Sequence, residues 1–278
     1  MIYKIVKGGA AALSLRFYKR GEPLENYLLW KELMSQSKDL TAWWQEFYVY
    51  FYQAFIVGDR WKQYLNGVGT TLLVTAMALG IGILLGVIVA MIRTAHDQQR
   101  SGHHNPILAL INGICKVYIT VIRGTPMMVQ LLIMSFVIFS SSRNYTMIGA
   151  LTLGINSGAY VAEIIRGGLM SLDPGQMEAG RSLGLNYFDT MRCIVIPQAF
   201  KAILPSLGNE FIILLKDTSL ITVIGGKELL YAAQSIYGRT YEQIFPLVGV
   251  ALIYLLLVII FSWLVGILER RLRQSDRR

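Results

Sequence analysis

The 278 residues are 54% hydrophobic and only 15% charged, with a formal charge of +9 at pH 7. A soluble domain carries about 25% charged residues, so an ordinary water-soluble globular chain is excluded. The basic residues are divided among separate connections and form no compact stripe, which excludes a nucleic-acid footprint.

Residues 1–56 read as an extracytoplasmic or interfacial extension, and 57–278 as a membrane domain. Lys4 and Lys7 precede the apolar run GGAAALSL, a faint signal-peptide pattern with no small-residue cleavage site after it. Met34 is a second candidate start. WWQEFYVYFYQAF, residues 43–55, is too short and too aromatic to span. Its rings suit a membrane–water interface, and packing on the bundle or on a partner is an equal alternative.

Residues 67–92 contain no charged side chain. Roughly 20 apolar residues cross ~30 Å of hydrocarbon, so this is the first expected span. The linker RTAHDQQRSGHHNP follows, with His96, His103 and His104. A solvated loop is the better reading there, and no metal site is expected. Cys115 and Cys193 have no metal-ligand company and are not expected to pair.

The stretch 106–140 is too long for one crossing and too short for two. It reads as an interfacial lead-in, 106–117, and one crossing over 118–139 kinked at Arg123-Gly124-Thr125-Pro126. Arg123 and Lys116 are expected to snorkel to headgroups.

The third span is 147–165. Asn156 and Tyr160 precede Glu163 by seven and three residues, so the three share a helix face. Two readings of Glu163 stand side by side. It lines a substrate path and holds an amino group, or it pairs with Arg166 one turn on.

Residues 173–200 are the most polar and punctuated part of the apolar half. Asp173 and Pro174 open a helix, Gly184 suits a left-handed cap, and Asn186 caps a second short helix. Tyr187, Phe188, Met191, Ile194 and Val195 fall on one face, expected towards the bundle. Pro197 marks a further boundary. This is an amphipathic elbow, more construction than a simple connection requires.

The fourth span is 203–224. Lys216 and Asp217 point about 100° apart, so they are expected to serve inter-helix roles near a central path, with Thr218 beside them. The fifth span is 245–268. The Lys and Arg of 166–201 and of the tail after 269 outnumber those on the opposite side, which puts the elbow and the C-terminus in the cytoplasm.

Glu178-Ala179, Gly184, Ile194 and Pro197 resemble the EAA signature of ABC-importer permeases: EAA, three residues, G, nine residues, I, one residue, LP. Gly180 stands in place of its last Ala, and Ile196 in place of its Leu. More narrowly, the chain is similar to polar amino acid permeases of the histidine/glutamine group. RGTP followed by MMVQL, NSGAYVAEIIRGG at 156–168 and LLKDTSL at 214–220 carry that likeness in order. It spans 64–271 and leaves 1–56 uncovered.

The resemblance implies an all-α polytopic membrane protein with five transmembrane helices and the type I ABC-importer permease fold, in a bacterial plasma membrane. It implies a pair with a second copy or sister permease, and a cytoplasmic ABC ATPase dimer that carries the ATP and Mg. An extracytoplasmic amino-acid-binding protein or domain delivers cargo. No cofactor and no enzymatic activity of its own are implied for this chain. Glu178, Ala179, Gly180, Gly184 and Pro197 would belong to the ATPase coupling element. Asn156, Tyr160, Glu163, Lys216, Asp217 and Thr218 are the expected substrate path, and one carboxylate on the Glu163 face suits neutral polar cargo better than cationic cargo. A secondary transporter or a membrane scaffold is the rival; the former often carries internal repeats, and none is evident.

Overall fold

The structure, a computed structural model, describes residues 23–36, 42–97, 99, 105–173 and 175–275. The run 2–15, His103, His104, Pro174, Arg277 and Arg278 lie outside the described residues. Among the described residues every regular element is helical. In chain order these are α1 (Pro23–Gln36), α2 (Trp43–Phe55), α3 (Arg60–Asp97), α4 (Pro106–Gly124), α5 (Met127–Ile133), α6 (Tyr145–Met170), α7 (Gly175–Ser182), α8 (Tyr187–Thr190), α9 (Ile196–Asp217), α10 (Leu229–Thr240) and α11 (Ile244–Ser275).

Two compact units emerge: residues up to 66 with 232–251, and 67–231 with the chain from 252 on. In the first, α1 and α2 form a hairpin around Tyr27, Trp30 and Val49. Trp30 meets Trp44 and Tyr48 edge-on at 5.2 and 5.0 Å, favoured ring geometries. Tyr48 also donates to the Pro23 carbonyl at 3.1 Å. Another side of α2 packs on the start of α11, where Phe47 lies 5.1 Å from Phe245 and Phe55 closes on Gly249.

Four helices among the described residues are long and apolar enough to cross a bilayer: Val57–Asp97, Pro106–Gly124, Tyr145–Met170 and Ile244–Leu272. Length and apolarity single out four candidate spans among the described residues, and the expected span 203–224 is not one of them. The stretch 106–139 divides differently from the expectation. α4, expected as an interfacial lead-in, is 19 residues of apolar helix and rises about 28 Å. The chain then breaks outright at Thr125 (φ −113°, ψ 143°) and Pro126, and only α5 and a wide π turn, Met134–Ile138, follow. The residue before proline is pushed to extended backbone, which ends α4 instead of bending it. The expected span 203–224 is the end of α9 followed by a tight 3-10 segment, Thr218–Ile224. Lys201, Asn209, Glu210, Lys216 and Asp217 keep α9 too polar to join the four.

The second unit is organised around α6, the most buried of the four long helices. α6 is lined with small residues, and α3 answers with its own. A Cβ on Gly82 would meet Ser157 Oγ at 2.7 Å, one on Gly154 would meet Ile81 Cβ at 2.7 Å, and Gly86 faces Val161. Between helices in lipid no hydrophobic drive exists, so close backbone approach supplies the attraction. Val74, Ala78, Leu131, Leu153, Leu214 and Ile221 complete the core. Phe211 and Phe261, 4.7 Å apart, tie α9 to α11.

Glu228, 1% exposed, fastens the ends of several elements. Its carboxylate accepts from Thr71 Oγ1 (3.3 Å), Thr222 Oγ1 (2.5 Å), the Tyr231 N–H (3.1 Å) and Tyr254 Oη (2.5 Å). A carboxylate so buried is tolerated only when its lone pairs are filled.

The glycine packing is testable. Gly154→Leu should cost about 1–3 kcal/mol by overpacking, seen as a lower midpoint of thermal unfolding in detergent. Gly80→Leu should not lower the midpoint, because nothing lies within 4 Å of a Cβ there and leucine favours helix over glycine.

Candidate functional site

The elbow is built as the residues require. Asp173 Oδ1 accepts from the Gly175 N–H at 2.8 Å and opens α7. Gly184, at φ 78°, closes it in the left-handed conformation that glycine adopts without penalty. The Leu185 N–H reaches the Gly180 carbonyl at 3.1 Å and the Gly184 N–H reaches that of Arg181 at 2.9 Å, the paired bonds of a Schellman cap. Asn186 Oδ1 then accepts from the Asp189 N–H at 2.9 Å to start α8.

α7 is strapped to the following chain in two places. Gln198 Nε2 donates to Gln176 Oε1 at 2.9 Å, and Gly180 is pressed against the Thr190 side chain. That contact gives a physical reason for glycine at the position where the family pattern has alanine. Glu178, Ala179, Leu183 and Phe188 are exposed, Leu183 by 77% and Phe188 by 69%.

Tyr187 and Phe188 were expected to face the bundle, and both are exposed. α8 lasts four residues and gives way to a π turn, Met191–Val195, in which the Ile196 N–H bonds the Met191 carbonyl. The extra residue rotates the face, so Val195 is buried while Phe188 points out. Pro197 marks a boundary, as expected: it stands in the first turn of α9, directly after the wide turn, where its lacking N–H is tolerated.

At the elbow end of the bundle Glu163 has both oxygens occupied. Oε1 receives Arg93 from α3, and Oε2 receives Arg166 at 2.9 Å. All three side chains are 16–30% exposed. The pairing with Arg166 was one of the two readings. Arg93, seventy residues away, was not anticipated. Both carboxylate oxygens of Glu163 are thus engaged by guanidiniums.

Asn156 Nδ2 donates to Gln130 Oε1 at 3.1 Å. Gln130 in turn donates to the carbonyls of Ile122 and Thr125, at 2.7 and 3.1 Å, and to Thr125 Oγ1 at 2.8 Å. It caps the severed end of α4, supplying donors that backbone within a membrane otherwise lacks. Tyr160 carries the Arg123 guanidinium over its ring at 5.0 Å, a cation–π contact. Asn156 and Tyr160 are thus joined to the RGTP break by side-chain contacts.

Lys216 is exposed, Asp217 half-buried and Thr218 buried, all at the change from α9 to the 3-10 segment. Thr218 Oγ1 donates to the Leu215 carbonyl at 2.8 Å. Glu210, one of the polar exceptions in the expected span 203–224, was given no role by the sequence; it is 5% exposed and accepts from Ser157 Oγ at 2.7 Å across the α6–α9 contact. A carboxylate in an apolar segment was its available signal. A cavity of about 720 Å³ opens near the elbow, with Gln198, Lys201, Ser206, Asn209 and Glu269 among its lining residues. Among the described residues no cluster suited to a metal is present.

Long apolar helices interrupted by internally satisfied polar groups mark a polytopic membrane protein. The profile of the family described as binding-protein-dependent transport system inner membrane component matches residues 82–274. The chain belongs to that family. It is 35% identical over 213 residues to the glutamine transport system permease protein of Escherichia coli (strain K12), covering 75% of this chain and 92% of that protein. The arginine transport system permease protein of Bacillus subtilis (strain 168) is 34% identical over 217 residues, covering 76% and 93%. A solved amino acid ABC transporter with histidines shares 40% identity, with a TM-score of 0.68 over 76% of this chain and 94% of that one. An inward-facing MetNI methionine ABC transporter, 18% identical, has the same fold with a TM-score of 0.63, covering 76% and 96%.

The elbow contact yields a rescue test. Gly180→Ala alone should loosen the elbow by about 1–3 kcal/mol, read as faster proteolysis near residue 184. Adding Thr190→Ala should return most of the protection.

Proposed function

We propose that this chain is the permease subunit of an ATP-driven amino acid importer, pairing with a second copy or a sister permease around the translocation path. Its elbow docks on a separate cytoplasmic ATPase dimer, which holds the ATP and Mg, and an extracytoplasmic binding protein delivers the cargo. The elbow and the C-terminus are cytoplasmic by the excess of arginine there.

The observation that carries this reading is the elbow itself. Its caps and straps make it stiff, and its exposed tip, Glu178, Ala179, Leu183 and Phe188, makes no use of that stiffness within the chain. A lever needs both properties. Glu178, Ala179, Gly180, Gly184 and Pro197 form the coupling element. Energy arrives from another chain, in keeping with the lack of a phosphate-binding lysine loop in the sequence.

Cargo is a polar amino acid, as the names of the glutamine and arginine relatives support. The path runs along α6 and α9, past Asn156, Tyr160, Lys216, Asp217 and Thr218, with Glu210 as an added buried acid. Glu163 shapes its elbow end through the two arginines. Reconstitution with the neighbouring ATPase and binding protein, assayed for ligand-stimulated hydrolysis across amino acids, tests the reading. Uptake that proceeds with no ATPase would instead establish a secondary transporter.

A β-branched residue in the left-handed region costs of order 1–3 kcal/mol. Gly184→Val should therefore leave the protein in the membrane while uptake falls well below that of the parent and hydrolysis persists. Normal uptake by Gly184→Val would count against the lever. Glu178→Lys should weaken co-purification of the ATPase at moderate salt.

A further inference from the structure

The α1–α2 hairpin lies ahead of residue 82, where the family match begins, so the shared transport machinery does not account for it. Its two helices bury Tyr27, Trp30 and Val49 between them, and the Trp30 contacts with Trp44 and Tyr48 fix how α2 is turned. That orientation leaves one line of aromatic rings outside. Trp43, Phe47 and Phe51 recur at four-residue spacing and are 79%, 54% and 43% exposed. Phe47 and Phe51 are stacked, with planes 9° apart. No charged residue stands in this line.

A stripe of exposed aromatics asks for a cover, and its neighbour says which. Phe47 rests on Phe245 at 5.1 Å. Phe245 begins α11, the helix with a candidate span over Ile244–Leu272, and is flanked by Ile244, 68% exposed, and Val248, 51% exposed. Those side chains face lipid if α11 crosses the bilayer. The aromatic line of α2 is therefore continuous with a lipid-facing surface at the point where that helix begins. Tryptophan is the residue type suited to that depth, with an apolar ring body and one N–H for the headgroup layer.

We propose that the Trp43–Phe47–Phe51 line is a membrane-interface contact, which makes the N-terminal hairpin an interfacial anchor whose partner is phospholipid at the headgroup–acyl boundary. The proposal rests on the membrane placement of α11 and is independent of the ATPase coupling. The hairpin grips the bilayer surface beside α11, with its polar residues turned away from the acyl chains.

The test uses the full-length protein in phosphatidylcholine nanodiscs. Tryptophan fluorescence is compared between the parent and Trp43→Phe, a change at an exposed ring, and the difference isolates Trp43. Lipid brominated near the headgroup should quench that difference signal roughly twofold more than lipid brominated at the chain ends, as expected for a ring at interfacial depth. Aqueous acrylamide should quench it weakly. Quenching from the chain ends alone would overturn the interfacial placement. So would insensitivity to both lipids, whether acrylamide then quenches strongly, a hydrated surface, or not at all, a surface covered by protein. Transport by Trp43→Phe, measured in parallel, separates this outcome from any failure of the importer reading.

Discussion

A carboxylate held between two guanidiniums governs the elbow end of this molecule. Removing an ion from water costs several kcal/mol unless close partners offset it, and Glu163 meets that demand with Arg93 and Arg166. Arg166 belongs to the same helix as Glu163, whereas Arg93 belongs to α3. The triad therefore pins α3 to α6 at the end where their small-residue packing stops. Thr94 and Leu169, close by on those helices, line a cavity of about 240 Å³ together with Gln176 and Met191 of the elbow segment. Under the proposed coupling, motion of the elbow is received by two helices that are locked to each other.

The same constraint explains how the helices are broken. Backbone freed inside hydrocarbon must find partners within the protein. Where Pro126 ends α4, Gln130 turns back to the released carbonyls and links the break to Asn156. Where α9 tightens into its 3-10 segment, Gly225 at φ 92° closes the turn, and Glu228 gathers four donors beyond it. Each interruption is therefore held by side chains, and Asn156, Tyr160 and Thr218, proposed for the path, lie beside them.

Local rules made much of this legible. Asp173, Gly184 and Asn186 announced the elbow because capping depends on residues only a few positions apart. Thr125-Pro126 announced a break for the same reason, although local rules favoured a bend over the complete separation of α4 from α5. Long-range partners were another matter. Nothing in the sequence links Arg93 to Glu163, or Ser157 to Glu210, because those contacts follow from how helices pack. The π turn at 191–195 also escaped the reading, since regular 3.6-residue periodicity assigned Phe188 to the wrong face. Glu228 drew no reading from the sequence, because Thr71 and Tyr254, which donate to it, lie far from it along the chain.

The central claim is that the elbow, as a stiff unit, is where the ATPase attaches. A photo-cross-linking residue placed at Leu183, 77% exposed on the tip, tests this in membranes that also contain the ATPase; Met147, 51% exposed at the opposite end of α6, is the control position. The account predicts an adduct between the ATPase and position 183, and none from position 147. Equal labelling from both positions, or adducts at 183 with lipid alone, would contradict it.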